Sequence, residues 1–458
     1  MLFHTWTFVA FFAIFYPVFL AVRKTRFRDG WLLIASYFFY GWWNPVYLIL
    51  IAYSTAVDFF GVVMMSRSRR KKLWLGLSIA NNILLLGTFK YGGFLTENFN
   101  ALMAWAGIPW MAPQPTWVLP AGISFYSFVS MSYTIDYYRG HIQPEPSFIR
   151  FATFVSLFPH LVAGPIMRAA DLLPQLQSTP PITRHNITDG LSLFVIGLFK
   201  KLALADYLAL YVQRVYDSPA SHSGSALVLA TVAFGWQIYF DFSGYTDMAR
   251  GIGRIMGYQF MRNFNHPYLA TGLGDFWNRW HISLSTWFRD YVYIPLGGNR
   301  GGEFATYRNM CLTMLISGLW HGAAWTFIVW GGLHALGRVA TRALEKQPFY
   351  IHSVPAIAKQ AMVFSFVTFT WIFFRAHSMG DAWTIVSRIF GSSWAEPALP
   401  LLAAGLVAMV WAYQFVIESR FKGLLQLAPV RIGMIVAMVI YMAIVPGSEA
   451  KPFIYFQF

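Results

Sequence analysis

The chain has 458 residues, of which 57% are hydrophobic and 12% are charged, and its formal net charge is +15. Soluble domains carry about 25% charged residues, so this composition excludes a soluble globular protein and indicates a polytopic membrane protein. The basic residues lie in short clusters beside apolar runs, a pattern typical of helices that meet anionic lipid headgroups. We therefore predict contacts with membrane lipids and none with nucleic acid.

Apolar runs follow one another through most of the sequence. They cover approximately residues 2–22, 31–65, 73–95, 118–137, 150–166, 190–212, 226–246, 309–336, 360–374, 399–418 and 430–446. Each crossing needs about 20 apolar residues, and the second run breaks at GWWNP into a hairpin. The pattern predicts an all-α fold with about eleven or twelve crossings, some of them re-entrant, in one integral-membrane domain spanning 1–458.

Two dense basic clusters, RKTRFR at 23–28 and RSRRKK at 67–72, flank this hairpin. Positively charged loops stay on the cytoplasmic side, so we expect both clusters to be cytoplasmic and the N-terminus to lie outside. The first apolar run has no leading basic region and no small-residue cleavage site, which predicts an uncleaved anchor instead of a signal peptide.

Polar side chains within apolar runs are energetically expensive and are therefore functional candidates. One group lies at 158–176, where prolines and glycines predict a broken or re-entrant element, with a kinked packing helix as the alternative. A second group lies at 237–258, where Asp247 and Arg250 have the spacing of a pair on one helical face. This second group indicates either a structural ion-pair network or one wall of a polar cavity.

A third polar group, at 275–302, comes just before the apolar run 309–336, which contains His321. The apolar and aromatic residues that a continuous helix would place on the same side as His281 are Trp277, Leu284 and Phe288. This helix is too polar to cross a membrane comfortably, so we expect a re-entrant or interfacial element. We expect the following run to be one membrane segment with His321 at depth.

His281 and His321 lie on adjoining segments, and a helix-loop-helix excursion can bring both imidazoles into one cavity. A buried imidazole stays neutral because desolvation disfavours its charged form, and a neutral imidazole can accept a proton as a general base does. The residue pattern leaves open whether these are a catalytic pair or ordinary core histidines. No metal site is predicted, because there is no H-E-x-x-H motif and no clustered Cys/His spacing.

Five stretches together resemble the membrane-bound O-acyltransferase family, in its bacterial branch that O-acetylates extracytoplasmic polymers. They are FPHLVAGPI, QIYFDFSGYTDMARGIGRIMGY, NFNHPYLATGLGDFWNRWHISLSTWFRDYVYIPLGGNR, SGLWHGAAWTFIVWGGLHAL and FRAHSM, in the order expected for the family. One departure is Asn278 in FWNRWH, where the family often has a basic residue. The branch includes the membrane subunits that acetylate alginate, cellulose and peptidoglycan, and the protein that exports D-alanyl groups to teichoic acids.

The resemblance implies a ring of tilted membrane helices, with re-entrant and interfacial helices, around a central tunnel, and a core at 118–380. It implies that His321 is the principal catalytic residue and that His281 is its partner on the donor side. The implied activity moves acetyl groups from acetyl-CoA, a co-substrate and not a permanently bound cofactor, to an extracytoplasmic polysaccharide. The implied location is the bacterial inner membrane, with an extracytoplasmic SGNH-hydrolase-like acetyltransferase subunit as partner.

A glycine-rich loop, PLGGNRGG at 295–302, is the candidate donor-binding segment. Its backbone N–H groups and Arg300 can contact phosphates, and we predict Gly298, Asn299 and Arg279 as further donor contacts. A simple turn is the alternative, since the loop lacks the Lys and Ser/Thr of a P-loop.

The last six residues, FIYFQF at 453–458, read F-x-Y-x-x-F and resemble a terminal motif of the same branch. The resemblance implies that Tyr455 accepts and passes on the acyl group, which requires an extracytoplasmic C-terminus. The alternative is an aromatic anchor at the membrane interface, a role that Tyr and Phe commonly have.

Two other functions stay open on sequence alone. One is a transporter or flippase for lipid-linked sugars, because 19% of the residues are aromatic and sugars stack on aromatic rings. Against it, the sequence shows no internal repeat of the kind on which many transporters are built. The other is acyl transfer to a lipid, a teichoic acid or a protein, which differs only in the acceptor.

Overall fold

The computed structural model describes residues 1–395, 401–444 and 453–454, and the regular secondary structure of these residues is entirely helical. The prediction of an all-α fold is confirmed. The chain divides into two compact units, one formed by 1–191 and 249–261 and the other by 192–248 and 262–458. A single integral-membrane domain over 1–458 stays a prediction.

The helices are numbered in chain order. Those that begin in the first unit are α1 (Trp6–Val22), α2 (Arg28–Gly41), α3 (Leu48–Arg67), α4 (Lys71–Leu86), α5 (Gly92–Trp105), α6 (Ile123–Tyr138), α7 (Phe148–Ser156), α8 (Phe158–Leu161), α9 (Ala169–Gln177) and α10 (Arg184–Phe199). Those that follow are α11 (Asp206–Tyr216), α12 (Gly224–Ile255), α13 (Leu273–Arg279), α14 (Ile282–Phe288), α15 (Gly302–His321), α16 (Trp325–Leu344), α17 (Pro348–His352), α18 (Ala356–Arg375), α19 (Met379–Gly391), α20 (Leu401–Glu418), α21 (Lys422–Gln426) and α22 (Ala428–Ile444).

The predicted break at GWWNP is confirmed, because α2 ends at Gly41 and α3 begins at Leu48. The Asn44 side chain accepts a hydrogen bond from the backbone N–H of Val46 at 3.0 Å, and Pro45 occupies the first position of a short 3-10 turn. Both residues suit the start of a helix, since the first turn needs acceptors for its N–H groups and proline lacks this donor.

The predicted broken element at 158–176 is also confirmed. α8 has only four residues, a non-helical segment follows, and α9 begins at Ala169. Gly164 folds so closely onto the preceding turn that a Cβ there would lie 2.3 Å from the Cα of His160. The His160 imidazole is buried and hydrogen-bonded to the Phe154 carbonyl at 3.0 Å, so this histidine packs inside the first unit.

Within the described ranges, four helical segments are long and apolar enough to cross a membrane. They are Pro45–Arg67, Lys71–Trp105, Gly224–Ile255 and Ala356–Arg375, and shorter apolar helices cover Trp6–Val22, Ala404–Glu418 and Ala428–Ile444. The larger number of crossings, about eleven or twelve at about 20 residues each, stays a prediction.

The prediction that 309–336 forms one continuous membrane segment is wrong, because this run folds as a helical hairpin. α15 ends at His321, Gly322 is extended with φ −163° and ψ 152°, and α16 begins at Trp325. Apolar composition is the same on both sides of the break, so hydropathy alone cannot locate it. His321 therefore lies at the tip of a hairpin, in the last turn of α15.

Two glycines hold this hairpin together. A Cβ on Gly331 would lie 2.6 Å from the Met314 carbonyl oxygen and 3.3 Å from the Cα of Gly318. Real Cβ atoms do not approach backbone atoms so closely, so α15 and α16 can be in contact only because these positions lack a side chain.

We expect Gly331→Ala to separate the two helices, to lower the free energy of unfolding by about 1–3 kcal/mol and to reduce activity by displacing His321. Gly332→Ala is the matched control, because its Cβ would meet only Leu315 Cδ2 at 3.9 Å. Thermal unfolding of the purified variants in detergent checks this. Equal midpoints for the two variants would show that the close approach is unimportant.

Candidate active site

His321 is packed among aromatic rings in the second unit. Its imidazole lies 4.9 Å from the ring of Trp320, 5.0 Å from Trp330 on α16 and 5.2 Å from Phe374 on α18, measured between centroids. The residue is only 3% exposed. Three aromatic rings therefore shield the imidazole from water.

His281 does not share a helix face with Trp277, and that prediction is wrong. α13 ends at Arg279, and α14 begins at Ile282. His281 lies between them in the left-handed region, with φ 43° and ψ 55°. Helical spacing does not reveal such a break, because left-handed backbone is rare in residues other than glycine and costs energy that tertiary contacts must offset.

The contacts that hold His281 come from Asn263. Its side-chain oxygen Oδ1 accepts from the backbone N–H of Ser283 at 3.1 Å and lies 3.3 Å from Nδ1 of His281. A backbone N–H can only donate, so this Asn263 atom is the carbonyl oxygen, and Nδ1 of His281 must carry a hydrogen to bond it. In the neutral imidazole, Nε2 of His281 is then the acceptor nitrogen.

Both histidines contact the same indole. The ring of Trp320 lies 6.2 Å from His281 and 4.9 Å from His321. Phe242 of α12 meets His281 edge-on at 4.6 Å. The two segments therefore bring His281 and His321 into contact with one side chain, while their catalytic roles stay predictions.

A cavity of about 300 Å³ lies beside this aromatic cluster. Its apolar wall includes Trp277, Leu284, Phe288, Met310 and Met314, and its polar wall includes Arg289, Tyr293, Asn299, Arg338 and Arg342. Phe288 contacts Trp320 at 6.4 Å, and Trp277 contacts Trp330 at 5.8 Å. Two aromatic rings of the apolar wall therefore contact the neighbours of His321, and three guanidinium groups line the polar wall.

The predicted donor-binding residues lie in different places. Asn299 lines the cavity and accepts from the Tyr293 hydroxyl at 2.5 Å. Gly298 is buried in the left-handed turn beside it, with φ 55°. Arg300 is exposed and is not part of the cavity lining. Arg279 is outside the cavity too, paired with Asp275 at 2.7 Å and Glu418 at 3.0 Å. Donor contacts by these residues stay a prediction.

The C-terminal tail enters the same unit. Phe453 and Ile454 are 1% and 2% exposed, and the Phe453 ring lies 5.6 Å from that of Phe242. Tyr455 lies outside the described residues. The burial of the two residues before it differs from what an anchor at a membrane interface requires, since such anchors stay at headgroup level.

The acidic residues of 237–258 form ion pairs with lysines outside this group, while the predicted pairing of Asp247 with Arg250 stays a prediction. Asp247 binds Lys200 at 2.7 Å, and Asp241 binds Lys201 at 2.9 Å. These two lysines lie in a π-helical turn between α10 and α11.

Sequence reasoning missed three features of this site: Asn263, the arginine pair Arg338 and Arg342, and Lys201. Lys201 had a visible signal, because a lysine inside an apolar run is a functional candidate. The arginines are four residues apart and so share a helix face, but they resemble ordinary charges at a helix end. Asn263 had no local signal, since its importance depends on contacts across the fold.

Comparison with known proteins identifies the family of this chain. The family model of the membrane-bound O-acyltransferases matches residues 100–377. The probable alginate O-acetylase AlgI of Pseudomonas aeruginosa is 41% identical over 391 residues, covering 83% of this chain and 74% of the relative. The peptidoglycan O-acetyltransferase of Helicobacter pylori is 36% identical over 401 residues, covering 81% and 75%. The teichoic acid D-alanyltransferase of Bacillus subtilis is 29% identical over 238 residues, covering 49% and 59%.

The helical fold of the described residues, with several helices long and apolar enough to cross a membrane, defines an all-α membrane protein. The chain belongs to the membrane-bound O-acyltransferase family, as the matched residues and the identities show. It is accordingly an O-acyltransferase and a multi-pass membrane protein.

Proposed function

We propose that this protein takes acetyl groups from cytoplasmic acetyl-CoA and moves them across the bacterial inner membrane for O-acetylation of an extracytoplasmic polysaccharide. The observation that carries the proposal is the cavity lined by three arginines and by two aromatic rings that contact Trp320 and Trp330, the neighbours of His321. Relatives named for alginate and peptidoglycan O-acetylation support a polysaccharide acceptor.

The cavity suits an acyl-CoA because its arginines can bind the phosphates of that molecule and its apolar side chains can contact the thiol arm. The phosphates carry negative charge, and guanidinium groups bind phosphate oxygens in a bidentate manner. Arg338 and Arg342 would hold them while the narrow thiol arm follows the apolar wall towards Trp277 and Phe288. The thioester would then lie near the aromatic neighbours of His321.

His321 would act as the general base. It takes the proton of the acceptor hydroxyl, the hydroxyl oxygen attacks the thioester carbonyl, and the carbon–sulfur bond breaks. The thiolate of CoA takes up a proton as it leaves. Because Asn263 keeps the hydrogen of His281 on Nδ1, Nε2 is an acceptor, which favours a role for His281 in orienting the thiol over one in polarising the carbonyl.

An acyl group that has crossed the membrane needs a second catalyst outside. A separate SGNH-hydrolase-like subunit would take the acetyl group and pass it to the polymer, with both termini of the present chain on the extracytoplasmic side. Neighbouring genes for polymer synthesis would identify an alginate-, cellulose- or peptidoglycan-like acceptor.

The donor site is tested by Arg342→Ala. We expect the KM for acetyl-CoA to rise about tenfold, equivalent to about 1.4 kcal/mol, with kcat within about twofold, because a phosphate contact far from the thioester contributes equally to ground and transition states. Initial rates of CoA release by the purified protein provide the measurement.

Arg300→Ala is the comparison variant. A larger rise in KM for Arg300→Ala than for Arg342→Ala would assign the phosphates to the glycine-rich loop and contradict the cavity. Sugar-lipid transport without any CoA release would instead favour a flippase.

A further inference from the structure

A buried ion cluster lies on the side of α12 that faces the C-terminal tail. Lys201 Nζ is 2.9 Å from Oδ1 of Asp206 and 2.9 Å from Oδ1 of Asp241. All three side chains are at most 4% exposed. One ammonium group faces two carboxylates, so the cluster has an excess of acceptors, and a buried carboxylate oxygen needs further hydrogen-bond donors.

The tail supplies one of these donors. The backbone N–H of Ile454 donates to Oδ2 of Asp241 at 2.7 Å, a charge-assisted hydrogen bond in a buried place. Lys201 occupies the other oxygen of the same carboxylate. Asp241 therefore joins the lysine of the cluster to the main chain of the tail.

Aromatic contacts fix the same segment. The ring of Phe453 lies 5.6 Å from Phe242 and 5.1 Å from Tyr245, both on α12. Phe242 also meets the His281 ring at 4.6 Å. One side chain thus separates the docked tail from His281.

We propose that Asp241, held by Lys201, is a positioning residue that fixes the C-terminal tail in register on α12, one side chain away from His281. This inference rests on the proposed function, with Tyr455, which the family resemblance implies as an acyl carrier, as the first group to receive the acetyl. Consecutive Cα atoms are about 3.8 Å apart, so any residue that follows an anchored peptide group has a limited reach. A slip by one residue would move the tyrosine by about 3.3 Å along an extended chain, more than acyl transfer tolerates.

The test uses tail accessibility together with acetyl transfer. Cys311 is the only cysteine, so Cys311→Ala with Gln457→Cys gives a parent with one thiol at the tail. Its labelling rate with a membrane-impermeant maleimide reports tail release without reference to activity. Ile454→Pro removes the N–H donor and leaves the ion cluster intact, while Ile454→Ala keeps the donor and is its matched control.

Asp241→Asn removes the charge that binds the tail and leaves Lys201 paired with Asp206. Asp247→Asn is its control, because Asp247 lies on the same helix and pairs with Lys200 instead. We expect labelling at least tenfold faster and acetyl transfer at least tenfold slower for Ile454→Pro and for Asp241→Asn. Both controls should stay within twofold of the parent.

Parent-like labelling of Ile454→Pro and of Asp241→Asn would overturn the anchor. Faster labelling with unchanged acetyl transfer would overturn the positioning role. If Tyr455→Phe transfers acetyl normally while Ile454→Pro loses both tail protection and transfer, the acyl relay is wrong but the positioning role of Asp241 is supported.

Discussion

Replacing His321 by alanine or glutamine is expected to lower acetyl transfer by about 10²–10⁴-fold, the contribution of a general base. Alanine also leaves a hole, since three aromatic rings pack on this imidazole, and we expect a loss of about 2 kcal/mol of stability. Glutamine keeps most of the volume and removes the base. Polymer acetylation in cells, normalised to the level of folded protein, provides the measurement.

His334→Gln is the matched control for this result. Its imidazole is also buried and also contacts Trp330, at 4.6 Å, but it hydrogen-bonds the Thr370 hydroxyl at 3.0 Å. His321→Gln and His334→Gln both remove a buried imidazole beside Trp330. Only His321→Gln also removes the proposed general base. Normal acetylation by a folded His321→Gln protein would end the catalytic assignment, as would equal losses for His321→Gln and His334→Gln.

The parts of the fold that sequence predicted correctly are those with a local physical cause. Asn44 and Pro45 mark the start of a helix whatever surrounds them, so the break at GWWNP was visible. The prolines and glycines at 158–176 similarly prevent a straight helix. Apolar composition indicated the membrane class because no soluble fold accommodates it.

The parts that sequence missed depend on tertiary contacts. The break after His321 lies within a uniformly apolar run, and it depends on the approach of Gly318 to Gly331 across the hairpin. The left-handed backbone of His281 is stabilised by Asn263, which is distant along the chain. Hydropathy and helical periodicity contain no information about either contact.

The resemblance identified the family correctly, although helical spacing did not predict the breaks at His281 and after His321. Several short motifs in one order specify a family even when each motif is weak alone. The family itself is shown by the matched residues, 100–377. That range contains His281 and His321 but ends before 453–458. The family match therefore says nothing about the role of the tail, which depends on its chemistry and its contacts.

The chemistry of the tail favours an acyl carrier. A phenol has a pKa of about 10 and a thiol of about 8.5, so a tyrosine ester is an activated ester, closer to a thioester than an alkyl ester is. His321 would take the phenolic proton of Tyr455, the phenolate oxygen would attack the thioester, and CoA would leave as its thiol. The ester could then pass its acetyl group to a serine of the extracytoplasmic partner.

Tyr455→Phe is therefore expected to abolish polymer acetylation, with a loss of at least about 10²-fold, and to leave the protein level unchanged, because only one oxygen is removed. Phe453 and Ile454 should keep their contacts with Phe242 and Asp241, so the tail stays docked but has no nucleophile. Mass spectrometry of the C-terminal peptide after incubation with acetyl-CoA should show an acetyl group on the parent and none on the variant. Phe456→Leu, which keeps the tyrosine, is the control. Near-normal acetylation by Tyr455→Phe, or a C-terminal tag that reports from the cytoplasm, would assign the motif to an anchor instead, because a cytoplasmic tail cannot deliver acetyl groups to a partner outside.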